Sequence, residues 1–384
     1  MVTLVSDDGA YGGPVSVATG QLAELAARGH QVELLSLWRG AAPAPGQVAD
    51  GVPLRARTAV ALIPRMGFLG LLNPRLVLDM WRRIGRADMV HVHAGRDLVS
   101  LAALAVTVLR RRRFLVQTHG MVQPRSTLVA RLFDAVYLPL LRRARGCLVL
   151  TDAERADLTR VLGPKAPPLI PLPNGVRAAS EAGSGTEGGT DVLYLARFHP
   201  RKRPEAFVEM AALVLKRRPG TTFTMHGSDE GCLPAVLELI EQRGLTGAVR
   251  YGGALDHAAA VRATAGASVY VLPSVNEPFP MSVLEALAAG TPVVCTDSCG
   301  ISAVLKERGA AVVTDGSPKA MADAVCELLG DERRRASLAE AGHRAVKEVF
   351  SVSAVVDRLE ELYTTDRPAA GTGRRLRSSP GPKT

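Results

Sequence analysis

The chain has 384 residues, enough for two domains at about 100 to 200 residues each. Its 47% apolar and 22% charged residues exclude a disordered, collagen-like or disulfide-stapled protein. The net charge of +10 is uneven: residues 1–176 hold 22 Lys and Arg against 12 Asp and Glu, residues 177–366 hold 20 against 25, and residues 367–384 hold 5 against none.

A basic first half suits phosphates, anionic lipid head groups or acidic substrates; a solvated, arginine-rich surface is the plainer alternative. Cys147, Cys232, Cys295, Cys299 and Cys326 form no CxxC and no cluster at zinc spacing, which predicts reduced thiols and no structural metal. The opening MVTLVSDDGAYGG carries neither a basic leader nor an apolar stretch of membrane-span length, so a cytoplasmic chain is expected.

In chain order, strands are predicted at VTLVS, VELLSL, MVHVH, FLVQTH, CLVLT and PLIPL, with amphipathic helices such as VSVATGQLAELAARG between them. The second half repeats the alternation with VLYLA, TFTMHG, VRYGG, SVYVLPS, PVVCT and AAVVT. Alternating βα units predict parallel sheets, here two doubly wound, Rossmann-like α/β domains. The expected boundaries are 1–176, a Gly/Ser-rich hinge at 177–191, 192–350, a helix near 350–365 packing back on the first domain, and a disordered basic tail at 367–384. Gly183, Gly185 and Gly188 satisfy GxGxxG inside that hinge but precede a strand rather than open a helix, which argues against a dinucleotide site.

His91 and His93, the HVH of one strand, are expected on opposite faces and so not in one site. His119 ends a strand before Gly120 and is better placed for a ligand, with a satisfied core histidine as the alternative. Ser6, Asp7 and Asp8 follow the first strand without an assigned role.

The segment SVYVLPSVNEPFPMSVLEALAAGTPVVCTD carries most information. A strand ends at Ser274, Glu277 lies in a loop, a helix starts near Pro280 and closes by Gly290, and another strand follows. Backbone donors from Phe279 to Val283 are expected to lack intrahelical acceptors and to face the carboxyl edge of the sheet, where an anion binds. Glu277 and Glu285 suit paired sugar hydroxyls, or else a cap and a salt bridge. In LYLARFHPRKRPEAF, Arg197 and Lys202 stand at the same edge and suit a diphosphate, whereas Arg201 and Arg203 are expected to be solvated.

Strand, R-x4-K, strand, E-x7-E and a helix ending AxxxG-TPVV resemble the nucleotide-sugar half of the retaining, GT-B-fold, family 4 glycosyltransferases. HGSDEG with Gly227, VRYGG, and in the first half Gly12-Gly13-Pro14, Thr118-His119-Gly120 and Asn174 in PNGV extend the likeness over most of residues 1–366. The resemblance implies two domains facing a cleft and transfer of a sugar from a UDP- or GDP-linked donor to a hydroxyl acceptor such as a glycan, a lipid-linked glycoside or a small molecule. It assigns Arg197 and Lys202 to the donor diphosphate, Glu277 to the transferred sugar, Glu285 to the ribose, and His119 to the donor sugar from across the cleft. It places Gly12, Gly13, Gly227, Phe279, Met281 and Ser282 around the donor. Pro280 departs from the EGFG or EPFG of many relatives and removes an N–H. No Asp-x-Asp occurs, so no metal and no cofactor is expected, the cations and the helix terminus meeting the leaving group's charge instead.

A non-hydrolysing sugar-nucleotide epimerase, a basic nucleic-acid binder and a dehydrogenase are the rivals; aromatics at 4% disfavour the second. Residues 60–86 pair apolar side chains with Arg65, Arg75, Arg82, Arg83 and Arg86, which fits peripheral contact with an anionic inner membrane face, with ordinary core packing as the alternative.

Overall fold

The computed structural model describes residues 2–6, 12–39, 51–63, 67–177 and 190–365. The GxGxxG glycines, Asp7 and Asp8, Arg65, most of the hinge and the basic tail lie outside the described residues. Two units emerge: Met1–Leu172 with Val356–Thr384, and Pro173–Val355.

The first unit is built on β1 (Val2–Ser6), β2 (Leu34–Arg39), β3 (Leu54–Thr58), a small antiparallel pair β4 (Val60–Ala61) and β5 (Leu71–Leu72), then β6 (Val90–His93), β7 (Phe114–Gln117), β8 (Gly146–Val149) and β9 (Leu169–Pro171). Its main sheet runs β3-β2-β1-β6-β7-β8-β9 with parallel pairings. The helices are α1 (Gly12–Ala27), α2 (Pro74–Ile84), α3 (Leu98–Leu109), α4 (Leu128–Leu141), α5 (Asp152–Leu162) and, from Val356 onward, the greater part of a late helix at Val352–Thr364.

Strands β6, β7 and β8 are buried at every residue, the pattern of parallel strands covered on both faces. Leu76, Met80 and Ile84 of α2, Leu104 of α3 and Tyr137 and Leu141 of α4 close over Val92, Val116 and Cys147. Short polar side chains start these helices: Asp97, Thr127 and Thr151 each accept an amide of the first turn. Strand β3 escapes a hydrophobicity reading because LRART carries two arginines. It is an edge strand, and Arg55 and Arg57 pair with Glu33 (3.2 Å) and Asp79 (2.7 Å).

The second unit repeats the plan with β10 (Asp191–Leu195), β11 (Thr222–His226), β12 (Val249–Tyr251), β13 (Val269–Leu272), β14 (Val293–Thr296) and β15 (Val312–Thr314), in the order β12-β11-β10-β13-β14-β15. Helices α6 (Pro204–Leu215), α7 (Leu233–Gln242), α8 (His257–Gly266), α9 (Met281–Ala288), α10 (Ser302–Glu307), α11 (Pro318–Gly330) and α12 (Glu332–Ala345) complete it; the Val352–Thr364 helix is α13. Phe207, Met210 and Val214 of α6 and Met321 and Val325 of α11 pack with Phe223, Met225 and Val294, each buried side chain stabilising by about 1.5–3 kcal/mol.

Strand order reverses between β1 and β6 in one sheet and between β10 and β13 in the other. Open α/β sheets take ligands outside the carboxyl ends at such a switch point.

Candidate active site

In the second unit the switch point receives two connections. After β10 come Arg197, a short 3-10 turn at Pro200–Lys202, and α6. After β13 come Asn276, Glu277 and α9. The two are stitched together by the Val275 amide, which donates to Arg201 O at 2.9 Å. The side chains then meet: Lys202 Nζ lies 2.7 Å from Glu277 Oε2, with the two side chains 11% and 8% exposed. Arg201 Nε stands 3.6 Å from the same oxygen.

Backbone geometry holds this pair in place. Asn276 has φ +49, a left-handed turn that aims Glu277 back toward the cations, and its amide donates to Ser298 Oγ at 3.3 Å. The Glu277 carbonyl accepts from Gly300 N at 2.8 Å. Arg203, also left-handed at φ +50, donates through Nη1 to Gly316 O at 2.9 Å.

Some expected residues are not brought together. Arg197 turns outward, half-exposed, to Glu230 at 2.6 Å, and does not join Lys202. Arg201 and Arg203, expected in solvent, are instead the residues bound beside Glu277 and Gly316, because the 3-10 turn rotates them inward.

Helix α9 starts one residue after Pro280, which has no side-chain cap. The Val283 amide, expected to be free, turns back to Pro280 O at 3.2 Å. Met281 and Ser282 therefore keep the first-turn amides without an intrahelical acceptor. Ser282 Oγ also accepts from the Tyr270 hydroxyl at 2.8 Å, a group that lies 3.1 Å from Leu195 O; this tyrosine joins the end of β10 to the mouth of α9. Phe279 is buried, edge-on to Phe350 at 6.3 Å. Burial raises the Glu285 carboxyl, opposed by the charge of His257. Gly227 must be glycine: a Cβ there would lie 1.9 Å from Ala196 O, at φ +152.

In the first unit, Gly12 and Gly13 are the opening turn of α1 rather than a loop. His91 and His93 share a face, contrary to expectation, since residues two apart on a strand point the same way. Their rings stack at 4.6 Å, and His93 stacks on His119 at 5.1 Å. His93 Nδ1 and His119 Nε2 are 2.8 Å apart, and His91 Nδ1 meets the Tyr363 hydroxyl at 2.9 Å. Loss of hydration pushes His91 and His119 down to about 3 and His93 well below the usual imidazole range, so all three rings are neutral near pH 7. Glu154 of α5, which no sequence pattern flagged, reaches the Thr118-His119-Gly120 turn.

Two family models cover the chain: the Glycosyl transferase 4-like domain over residues 12–175 and Glycosyl transferases group 1 over residues 178–345. A phosphatidyl-myo-inositol mannosyltransferase of Mycolicibacterium smegmatis is 31% identical over 361 residues, covering 90% of this chain and 89% of that one. The chain belongs to the group 1, family 4-like glycosyltransferases. A glycogen synthase of Mycobacterium tuberculosis is 26% identical over 369 residues, 88% of this chain and 87% of that one. Anabaena HepE in complex with UDP superposes with a TM-score of 0.70 at 16% identity, covering 94% of this chain and 98% of that one. Sucrose-phosphate synthase from Thermosynechococcus elongatus gives 0.68 at 21%, covering 91% and 92%. The fold is GT-B, and the enzyme is a glycosyltransferase of hexosyltransferase type.

Proposed function

We propose that this transferase moves a sugar from a UDP- or GDP-linked donor to a hydroxyl acceptor with retention at the anomeric carbon and without a metal. The observation that carries the reading is the Lys202–Glu277 contact at the β10/β13 switch point, beside the first turn of α9. A ligand gripped by both side chains must present an anion and a hydroxyl within a few ångströms of each other, as the diphosphate and sugar ring of a nucleotide sugar do.

In this reading Lys202 and the Met281 and Ser282 amides take up charge as the bond from the anomeric carbon to the diphosphate oxygen breaks. The acceptor oxygen bonds to that carbon on the same face, and its proton passes to the departing phosphate. Glu277 orients the sugar hydroxyls, Glu285 accepts from the ribose, and His119 addresses the donor sugar. Arg197 joins Lys202 after exchanging Glu230 for phosphate, an inexpensive exchange because an exposed ion pair is worth about 0–1 kcal/mol. Gly227 and Phe279 shape the floor under the donor, and the Gly12-Gly13 turn lets backbone approach it.

A thermal-shift panel of uridine, guanosine and adenosine diphosphates and their sugar conjugates tests the donor site. One base should stabilise the wild type by about 2.7 kcal/mol at ~100 times its dissociation constant, and Lys202→Ala should abolish the shift. An intact shift in Lys202→Ala sinks the diphosphate assignment. Activity should survive EDTA, and product NMR should show retention; free epimer from donor alone would instead favour an epimerase.

Several relatives are phosphatidyl-myo-inositol mannosyltransferases, and the first unit supports a lipid-linked acceptor on an anionic surface. Helices α2, α3 and α4 lie side by side and expose Leu78, Trp81, Leu109, Leu128, Leu132 and Val136, with Arg82, Arg83, Arg125 and Arg131 exposed among them. No described helix is long and apolar enough to cross a membrane. Sedimentation with anionic but not zwitterionic vesicles at low salt is the expected result; absence of co-pelleting retires the membrane contact.

A further inference from the structure

The turn after β7 is held from both of its sides. Glu154 is a carboxylate only 5% exposed. Its Oε1 accepts the Thr118 hydroxyl and the Gly120 amide, the two neighbours of His119, and its Oε2 accepts the Leu150 amide at 2.7 Å. His119 itself has φ +50, a left-handed conformation that a histidine adopts at a cost, followed by Gly120 at φ +72. Such a turn persists where its surroundings over-determine it, and a buried carboxylate on three donors does that.

The imidazole is fixed separately. His119 Nε2 is engaged by His93 Nδ1 at 2.8 Å, with the rings 12° from parallel. His93 is backed by His91 at 4.6 Å, and His91 by the Tyr363 hydroxyl of α13 at 2.9 Å. One proton lies between the two neutral rings, so whichever nitrogen of His93 carries its own proton dictates which nitrogen of His119 carries the other. Among the described residues Nδ1 of His119 has no partner, and it is the ring nitrogen available to a ligand.

We infer that Glu154 and His93 are positioning residues for His119: the carboxylate imposes the backbone turn, and the second histidine sets the rotation and the tautomer in which Nδ1 is presented to the donor sugar. The inference rests on the reading that His119 addresses that sugar. Both residues are buried and act through His119, so their loss acts on turnover rather than on the nucleotide affinity that the proposed function assigns to the second unit.

The test combines ¹⁵N-histidine NMR on the free, full-length protein with kinetics. Wild type should show His119 in one tautomer. His93→Phe, which keeps a flat ring in the stack, should give a mixture or the opposite tautomer. Glu154→Gln should leave the tautomer but speed hydrogen exchange at the Gly120 and Leu150 amides. Both variants should lower kcat 10- to 100-fold, with the donor KM and the nucleoside diphosphate Kd within twofold of wild type. Should Glu154→Gln not fold, Glu154→Asp, whose shorter arm can serve one side of the turn only, enters the same measurements. An unchanged His119 tautomer in His93→Phe, or kcat within twofold of wild type in both variants, overturns the inference. If His119→Ala keeps full kcat on a nucleotide sugar, the role of His119 fails instead, while the NMR arm still decides whether its neighbours set it.

Discussion

His91, His93 and His119 form one stack of neutral rings in the first unit, and their ionisation has a definite sign in stability. The unfolded chain protonates histidine near pH 6.5, whereas the folded unit keeps His91 and His119 neutral down to about 3. Between those limits the unfolded state binds more protons, so stability is complete above pH 6.5 and falls as the pH drops, by up to about 1.4 kcal/mol per pH unit for each ring. Urea midpoints measured from pH 7 to pH 4.5 should fall steadily, and His91→Phe should flatten the slope by about one proton; an unchanged slope refutes the assignment. At Lys202 and Glu277 the residue types were readable from the sequence, since R-x4-K and E-x7-E flank a strand edge. Their direct contact was not, because it depends on the left-handed backbone at Asn276 and on the turn at Pro200–Lys202. The same turn moves Arg201 from solvent to Glu277, a reversal that spacing cannot foretell.

Among elements, the strand ends β10 and β11 approach so closely at Gly227 that its Cβ position is occupied by the Ala196 carbonyl. Gly227→Ala should destabilise the second unit by about 2 kcal/mol and weaken nucleotide binding at least tenfold by shifting the end of β10, from which Lys202 departs. Calorimetry of the free variant and titration with the preferred nucleoside diphosphate check both. Normal stability with normal affinity would mean that the backbone yields there at no cost. Helix α9 was legible from Pro280 and Gly290, yet its role as a donor terminus is narrower than its sequence suggests. The Val283 amide closes on Pro280 O, leaving Met281 and Ser282. Tyr270, anchored on β13, then fixes Ser282 from below, a link between elements that no local pattern encodes.

At the scale of the molecule, the chain leaves the first unit after Leu172 and re-enters it at Val356. The returning part of α13 buries Val356, Leu359 and Leu362 and supplies Asp357 (2.6 Å) and Glu360 (2.7 Å) to Arg28, and Tyr363 to His91. A chain ending at Val355 should lose several kcal/mol from the first unit, since each buried Val or Leu contributes about 1.5–3 kcal/mol. Hydrogen exchange should then show faster opening of β6, β7 and β8 with β13 protected as before; equal protection throughout would show that α13 is dispensable. The sequence alone determined the two parallel α/β sheets and the family, because β-branched runs, helical periodicity and Gly and Pro boundaries act over a few residues and survive without tertiary context. Only the tertiary structure decided which cations meet Glu277, that His119 joins the face shared by His91 and His93, and that Glu154 reaches the turn around His119. The His93–His119, Glu154–Gly120 and Lys202–Glu277 contacts join residues 26 to 75 positions apart, and their geometry is set by strand order and loop conformation, which no local pattern of side chains specifies.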